Sequence, residues 1–219
     1  MNHATDSRVY SVMRKGFLVL AIALALVVGV VGYLFVQGKT LVWLTSARSF
    51  HSVNQSMRPT LRVGERWIAV MNQYHDALPR RGNVIVFRNP RKPEQDWVRR
   101  LIGLPGDQIQ ISRGRLLINE MEVERSPEGA EENDGASYRK TLPNGNSHLI
   151  FEHTDDSAAD QSDTYVFPER HVFVLGDNRD FSLDSRHAEV GMVPVDMIMG
   201  EAKVVYLSTD VKRILSPID

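Results

Sequence analysis

The hydrophobic pattern splits the chain into one long apolar run and many short ones. Phe17 to Val36 is a stretch of 20 residues without a charge. As a helix it would span about 30 Å, the thickness of a bilayer's hydrocarbon core. Its exit, Val36-Gln37-Gly38-Lys39, lacks the small-residue end of a cleaved leader, so the run is expected to remain as an N-terminal transmembrane anchor over 17–36. A buried core helix is the alternative, and the uncharged length disfavours it. Arg8, Arg14 and Lys15 precede the run, and Lys39 and Arg48 follow it. That modest asymmetry places the N-terminal tail, residues 1–16, in the cytoplasm. In the linker, residues 37–49, Leu41-Val42-Trp43-Leu44 suits an interfacial segment or a first strand.

Beyond Arg48 the pattern is that of strands. Short runs rich in branched residues recur at Trp67–Val70, Asn83–Phe87, Val98–Ile102, Gln108–Ser112, Arg115–Ile118, His171–Leu175 and Glu201–Leu207. Turn residues separate them, at Arg81-Gly82, Leu104-Pro105-Gly106-Asp107 and Pro143-Asn144-Gly145. Ser112-Arg113-Gly114 between Ile111 and Arg115 reads as a tight hairpin. With no long amphipathic helix after the anchor, the predicted class is mainly β, with antiparallel sheet. Residues 119–165 are acidic and poor in apolar positions, and Leu149-Ile150-Phe151 and Tyr165-Val166-Phe167 bound the second part as strands. A solvated face or mobile loops are expected there.

Composition narrows the function classes. The 219 residues carry a net charge of −1, with 24% charged and 42% hydrophobic positions. A near-neutral balance argues against a nucleic-acid partner, which requires a basic surface. There is no cysteine, hence no disulfide framework and no thiolate zinc site.

Three stretches carry candidate chemistry. The first is Val53-Asn54-Gln55-Ser56-Met57-Arg58-Pro59-Thr60-Leu61, a serine in a polar turn ahead of a proline. Alone, such a pattern is usually just a turn. The second is Asp96-Trp97-Val98-Arg99-Arg100-Leu101-Ile102-Gly103-Leu104-Pro105-Gly106-Asp107, and the third is Gly176-Asp177-Asn178-Arg179-Asp180-Phe181-Ser182-Leu183-Asp184-Ser185-Arg186. With Arg81–Phe87 between the first two, the chain from about Phe50 to Tyr206 resembles the type I signal peptidases of bacteria. Lys140-Thr141-Leu142-Pro143-Asn144-Gly145 resembles the alphaproteobacterial branch.

The resemblance implies a fold, an activity and partners. The fold is an antiparallel β catalytic core, residues 50–107 and 171–210, with a smaller β domain inserted at 108–170 and a C-terminal tail at 211–219. The activity is that of a membrane-anchored serine endopeptidase that removes signal peptides after Ala-x-Ala. The partners are secretory preproteins and the lipid bilayer. The chain is expected as a monomer in the inner membrane, its catalytic domain periplasmic or extracellular, without cofactor or metal.

The resemblance also distributes roles. Ser56 falls on the nucleophile, which needs a base to take its proton. The family's base is a lysine kept neutral by apolar surroundings, and the gapless register puts Arg99 at that position. A guanidinium has a pKa above about 12 and does not accept a proton. The consequence is left open between a catalytically impaired paralogue, an introduced Lys→Arg change, and another base such as His51, Lys92 or Lys203. No Ser-His-Asp spacing is recognisable among the seven histidines. Ser182 matches the serine that orients the lysine. The Ser56 N–H and Asn54, at the position of a family serine hydroxyl, are the oxyanion donors. Asp177, Asn178, Arg179, Asp180, Asp184 and Arg186 are read as ion pairs and turn bonds holding the Ser182 loop. Phe50, Met57, Leu61, Trp97 and Val98 are expected to line a shallow groove, where an extended peptide adds as a strand. Three functions compete: the endopeptidase, a silent module that binds signal peptides or partner proteins, and another Ser/Lys protease such as a conjugation-type peptidase or a self-cleaving repressor. The complete third stretch and the anchor disfavour the last.

Overall fold

The computed structural model describes residues 21, 23–33, 46–74, 77–130 and 135–219. Two compact units divide at Ser46 and Ala47. In the first, residues 23–33 are helical and Leu24, Leu26, Val28 and Tyr33 are exposed. Among the described residues no helix is long and apolar enough to cross a membrane. The remainder of the Phe17–Val36 run, the N-terminal tail and the linker up to residue 45 lie outside them.

Among the described residues of the second unit there are fourteen strands. In chain order they are β1 Ala47–His51, β2 Arg66–Met71, β3 Val84–Asn89, β4 Lys92–Gly103, β5 Gln108–Ser112, β6 Arg115–Ile118 and β7 Met121–Glu122. There follow β8 Glu124–Ala130, β9 Ala136–Thr141, β10 Ser147–Glu152, β11 Tyr165–Val166, β12 His171–Leu175, β13 Val193–Pro194 and β14 Ile198–Leu207. All seven predicted branched runs lie in strands, with Asn83 just ahead of β3. The expected linker ends early, because Ala47–Ser49 already pairs with β2.

A seven-stranded sheet has the order β1-β2-β14-β3-β4-β12-β13. Its central strand β3 reads Val-Ile-Val-Phe, and alternation sends these side chains to opposite faces. Val84 and Val86 pack with Met57, Leu61, Trp67 and Val205, whereas Ile85 and Phe87 pack with Leu101, Val172 and Val174. Both faces of this strand are therefore covered, and its continuous apolar run follows from that. Its pairings with β4 and β14 are antiparallel.

Two smaller sheets come from the interval between β4 and β12, in the orders β11-β5-β6-β7 and β10-β9-β8. The β5–β6 hairpin closes on Ser112↔Arg115. Arg113 and Gly114 both have positive φ, 49° and 71°, as a tight two-residue turn demands. Ile109, Ile111, Leu116 and Ile118 from this sheet share a core with Phe173 and Leu175 of β12.

The acidic stretch differs from expectation in part. Glu122, Glu124 and Glu128 are exposed, but the stretch contains strands rather than only loops. Asp160 is buried with Arg186 nearby at 3.9 Å, and Asp155 receives both terminal nitrogens of Arg125. Asp155 stays exposed, whereas a buried carboxylate such as Asp160 needs a partner. The C-terminal tail packs back on the large sheet. Leu215 and Ile218 donate their N–H groups to β14 carbonyls, and Ile218 is buried against the large sheet.

Candidate functional site

The three motif stretches meet at one cleft of about 710 Å³, lined among others by Phe50, Asn54, Ser56, Trp97, Arg99 and Leu183. Ser56 sits in the tight turn that follows β1, at 5% exposure. Arg58 N–H to Gln55 O and Leu61 N–H to Met57 O wind this turn. The third stretch holds it from behind, because Asn178 donates its backbone N–H to Ser56 O at 3.0 Å and its Nδ2 to Gln55 O at 3.1 Å.

Gly176 is the point of closest approach. A Cβ there would lie 2.0 Å from Ser182 Oγ and 2.6 Å from the carbonyl oxygen of Ser56. Only a residue without a side chain lets Ser182 and the Ser56 turn converge. Ser182 is buried, and among the described residues its Oγ has no hydrogen-bond partner. The Ser56 N–H donates to Asn54 Oδ1 at 3.1 Å, so Asn54 presents its carbonyl oxygen, not its N–H₂, to the turn.

Arg99 lies on β4 at 5% exposure. Its Nε and Nη2 both donate to Leu183 O, at 3.0 and 2.7 Å, and Nη1 donates to Val98 O at 2.6 Å. The guanidinium also stands over the Trp97 ring at 5.0 Å. Burial pulls its pKa down to about 10, against the opposing charges of Asp184 and Asp177. Arg99 therefore stays charged at neutral pH, even in a site that desolvates it.

The charged residues of the third stretch are engaged internally. Asp177 takes Arg100 Nε at 2.8 Å and Nη2 at 2.7 Å, a fork-to-fork pair in which both side chains are buried. Asp184 accepts from the Gly176 N–H at 3.0 Å and from Arg186 Nε at 2.8 Å. Burial alone would raise the Asp184 pKa, but the Arg186 charge and these donors outweigh it and hold the carboxyl far below its usual range. Asp180 caps the His153 N–H at 2.6 Å. Arg179 lies 3.7 Å from Glu152, which ties the loop to β10.

Of the expected groove residues, Phe50, Met57, Trp97 and Val98 line the cleft. Leu61 packs in the buried cluster beneath it and is not on the wall. Among the candidate bases, His51 lines the cleft while Lys92 and Lys203 do not, and Lys203 is paired with Glu201 at 2.5 Å. Sequence reasoning passed over Phe181 and Leu183, which also line the cleft at 52% and 38% exposure. The available signal was two bulky apolar residues in an otherwise polar loop, one on each side of Ser182. It also passed over Lys140, whose amine is fully buried on β9 and whose pKa burial lowers to about 7, with Arg179 contributing. Lys140 does not line the cleft.

The chain matches the model of the family described as signal peptidase, peptidase S26, over residues 15–207. It is similar to a signal peptidase I of Rickettsia canadensis (strain McKiel), 37% identical over 61% of this chain and 54% of that protein. The figures are the same for a signal peptidase I of Rickettsia prowazekii (strain Madrid E). The match thus spans about half the length of these relatives. Among solved structures, a signal peptidase I from Enterococcus faecalis V583 is similar at 30% identity and a TM-score of 0.36, covering 56% of this chain and 95% of that one.

Proposed function

The chain belongs to the signal peptidase, peptidase S26, family, and from that membership we propose that it is a membrane-anchored serine endopeptidase of the signal peptidase I type. Its substrates are the N-terminal signal peptides of exported preproteins, cut after small residues in Ala-x-Ala patterns. The observation that carries this reading is the convergence of Ser56 and Ser182 at Gly176, on the edge of a cleft walled by Phe50, Met57, Trp97 and Val98. The anchor is the Phe17–Val36 run, with the N-terminus in the cytoplasm and the catalytic unit on the far side.

In this mechanism Ser56 Oγ attacks the scissile carbonyl, and its proton leaves to a base. The developing oxyanion takes the Ser56 N–H in place of Asn54 Oδ1, and rotation of the exposed Asn54 amide supplies a second donor. The tetrahedral intermediate collapses by breaking the C–N bond, and the new N-terminal amine of the mature protein leaves with the proton the base had taken. Water then hydrolyses the remaining ester to free Ser56. Arg99 does not act as the base, so the chain turns over slowly, with His51 as the candidate base on the cleft wall.

A second reading, a catalytically impaired relative that holds signal peptides or partner proteins at the membrane, is favoured by one observation. All three guanidinium nitrogens of Arg99 are committed to backbone carbonyls. Incubation of the purified chain with an Ala-x-Ala preprotein tests both. The endopeptidase reading expects slow cleavage after the second alanine, lost in Ser56→Ala. Undiminished cleavage by Ser56→Ala contradicts the assignment of the nucleophile. Tight peptide binding with no cleavage selects the second reading.

A further inference from the structure

Phe181 and Leu183 bracket Ser182 in the third stretch, and both open onto the cleft. Exposed side chains of this size are ordinary when scattered, but here two of them share one concave wall. Phe181 is 52% exposed, and its ring makes an edge contact with His153 at 5.3 Å between centroids. Leu183 is 38% exposed, and its carbonyl is fixed by two Arg99 nitrogens. The segment from 181 to 183 is therefore anchored at both ends, while its apolar side chains remain uncovered. The charged side chains on the same wall are already engaged, Asp96 with Arg48 at 3.6 Å and Arg99 with backbone carbonyls. Recognition by Phe181 and Leu183 therefore rests on apolar contact, since among the described residues both Asp96 and Arg99 of the lining already have a partner.

The position of the wall fixes which part of a peptide it meets. Ser182 and the Ser56 carbonyl converge at Gly176, so the neighbours of Ser182 stand beside the nucleophile. We infer that Phe181 and Leu183 are specificity-determining residues that take a bulky apolar side chain of the peptide substrate within two positions of the scissile bond. This residue adds to the two small ones of the Ala-x-Ala pattern, occupying either the middle position or the first after the bond. The inference rests on the endopeptidase or peptide-binding reading of the cleft and narrows the peptides it accepts.

The test uses the full-length chain in detergent and a set of fluorescent ten-residue peptides carrying Ala-x-Ala. The middle residue and the first residue after the bond are replaced one at a time by Gly, Ala, Leu or Phe. Affinity is read by anisotropy. At one of these positions Leu or Phe should bind about tenfold tighter than Gly, the scale set by adding apolar groups in a pocket. Phe181→Ser and Leu183→Ala should each lose most of that preference, read within each variant as the ratio of its Leu or Phe affinity to its Gly affinity, and Phe181→Leu should retain it. Binding of all peptides without any such preference overturns the inference and leaves the peptide-site reading standing, as does a preference undiminished in the Phe181→Ser, Leu183→Ala double variant. Failure of every peptide to bind overturns both.

Discussion

Lys140 offers a stability experiment whose magnitude follows from its surroundings. The side chain is 1% exposed and faces a row of basic neighbours, with Arg125 on β8 and His148 on β10 directly opposite in register. Its folded pKa falls from 10.5 to about 7, chiefly through burial. A Lys with a depressed folded pKa takes up its proton more readily when unfolded. The unfolded state therefore binds more protons between about pH 7 and 10.5, and stability rises with pH across that window. At about 1.4 kcal/mol for each pH unit between the two pKa values, the cost at pH 7 is on the order of 4 kcal/mol, and it vanishes near pH 10.5. Lys140→Met keeps the length of the side chain and removes the titration. Glu152 retains Arg125 and Arg179 as partners in the variant. Urea unfolding of the full chain in detergent, followed by tryptophan fluorescence at pH 7, 8, 9 and 10, reads the difference. The variant should be the more stable at pH 7, with a gap that shrinks by about 1.4 kcal/mol per pH unit above that. A gap that stays constant with pH would falsify the lowered pKa and show that the amine remains charged and compensated.

Two further outcomes test the framework around Ser56. Gly176→Ala should destabilise the fold by about 1–3 kcal/mol through overpacking and cut cleavage more than tenfold, because the new methyl meets Ser182 Oγ and the Ser56 carbonyl; wild-type stability and turnover in that variant would contradict the close approach. Asp177→Ala leaves the Arg100 guanidinium buried and unpaired, so chemical denaturation should show a loss of about 3–5 kcal/mol, whereas a loss under about 1 kcal/mol would mean that Gly82 O and Thr60, which Arg100 also reaches, suffice to hold it.

Much of the β architecture was legible because apolar runs and turn residues are local signals. The Arg113-Gly114 hairpin turn is an example, since its two positive φ values suit a short loop between alternating strands. The motif stretches were legible as neighbours in space only through resemblance, and the geometry of their meeting was not. Gly176 opens the third stretch in the sequence, but its demand for a missing Cβ shows only in the fold, where it meets the Ser56 carbonyl from 120 residues earlier. Leu61 was misplaced for a related reason. An apolar residue five positions after the serine can face cleft or core, and the turn's winding sends it inward. Asp160 read as solvated because its partner Arg186 lies in another stretch. Lys140 carried no local signal at all, since only the packing of β9 against the buried polar groups lowers its pKa.

The most direct measurement compares cleavage of an Ala-x-Ala preprotein by the native chain and by Arg99→Lys across pH 6 to 10. Trp97 and Val98 flank Arg99 on the cleft wall and supply an apolar setting, and among the described residues Ser182 Oγ has no hydrogen-bond partner and can orient an amine. General-base catalysis is worth roughly 10²–10⁴-fold. Arg99→Lys should therefore raise turnover by at least about 100-fold, with little change in apparent binding, and the gain should grow with pH as the lysine loses its proton. Equal turnover by the two chains at every pH would contradict the reading that Arg99 in place of a lysine base is what limits this site.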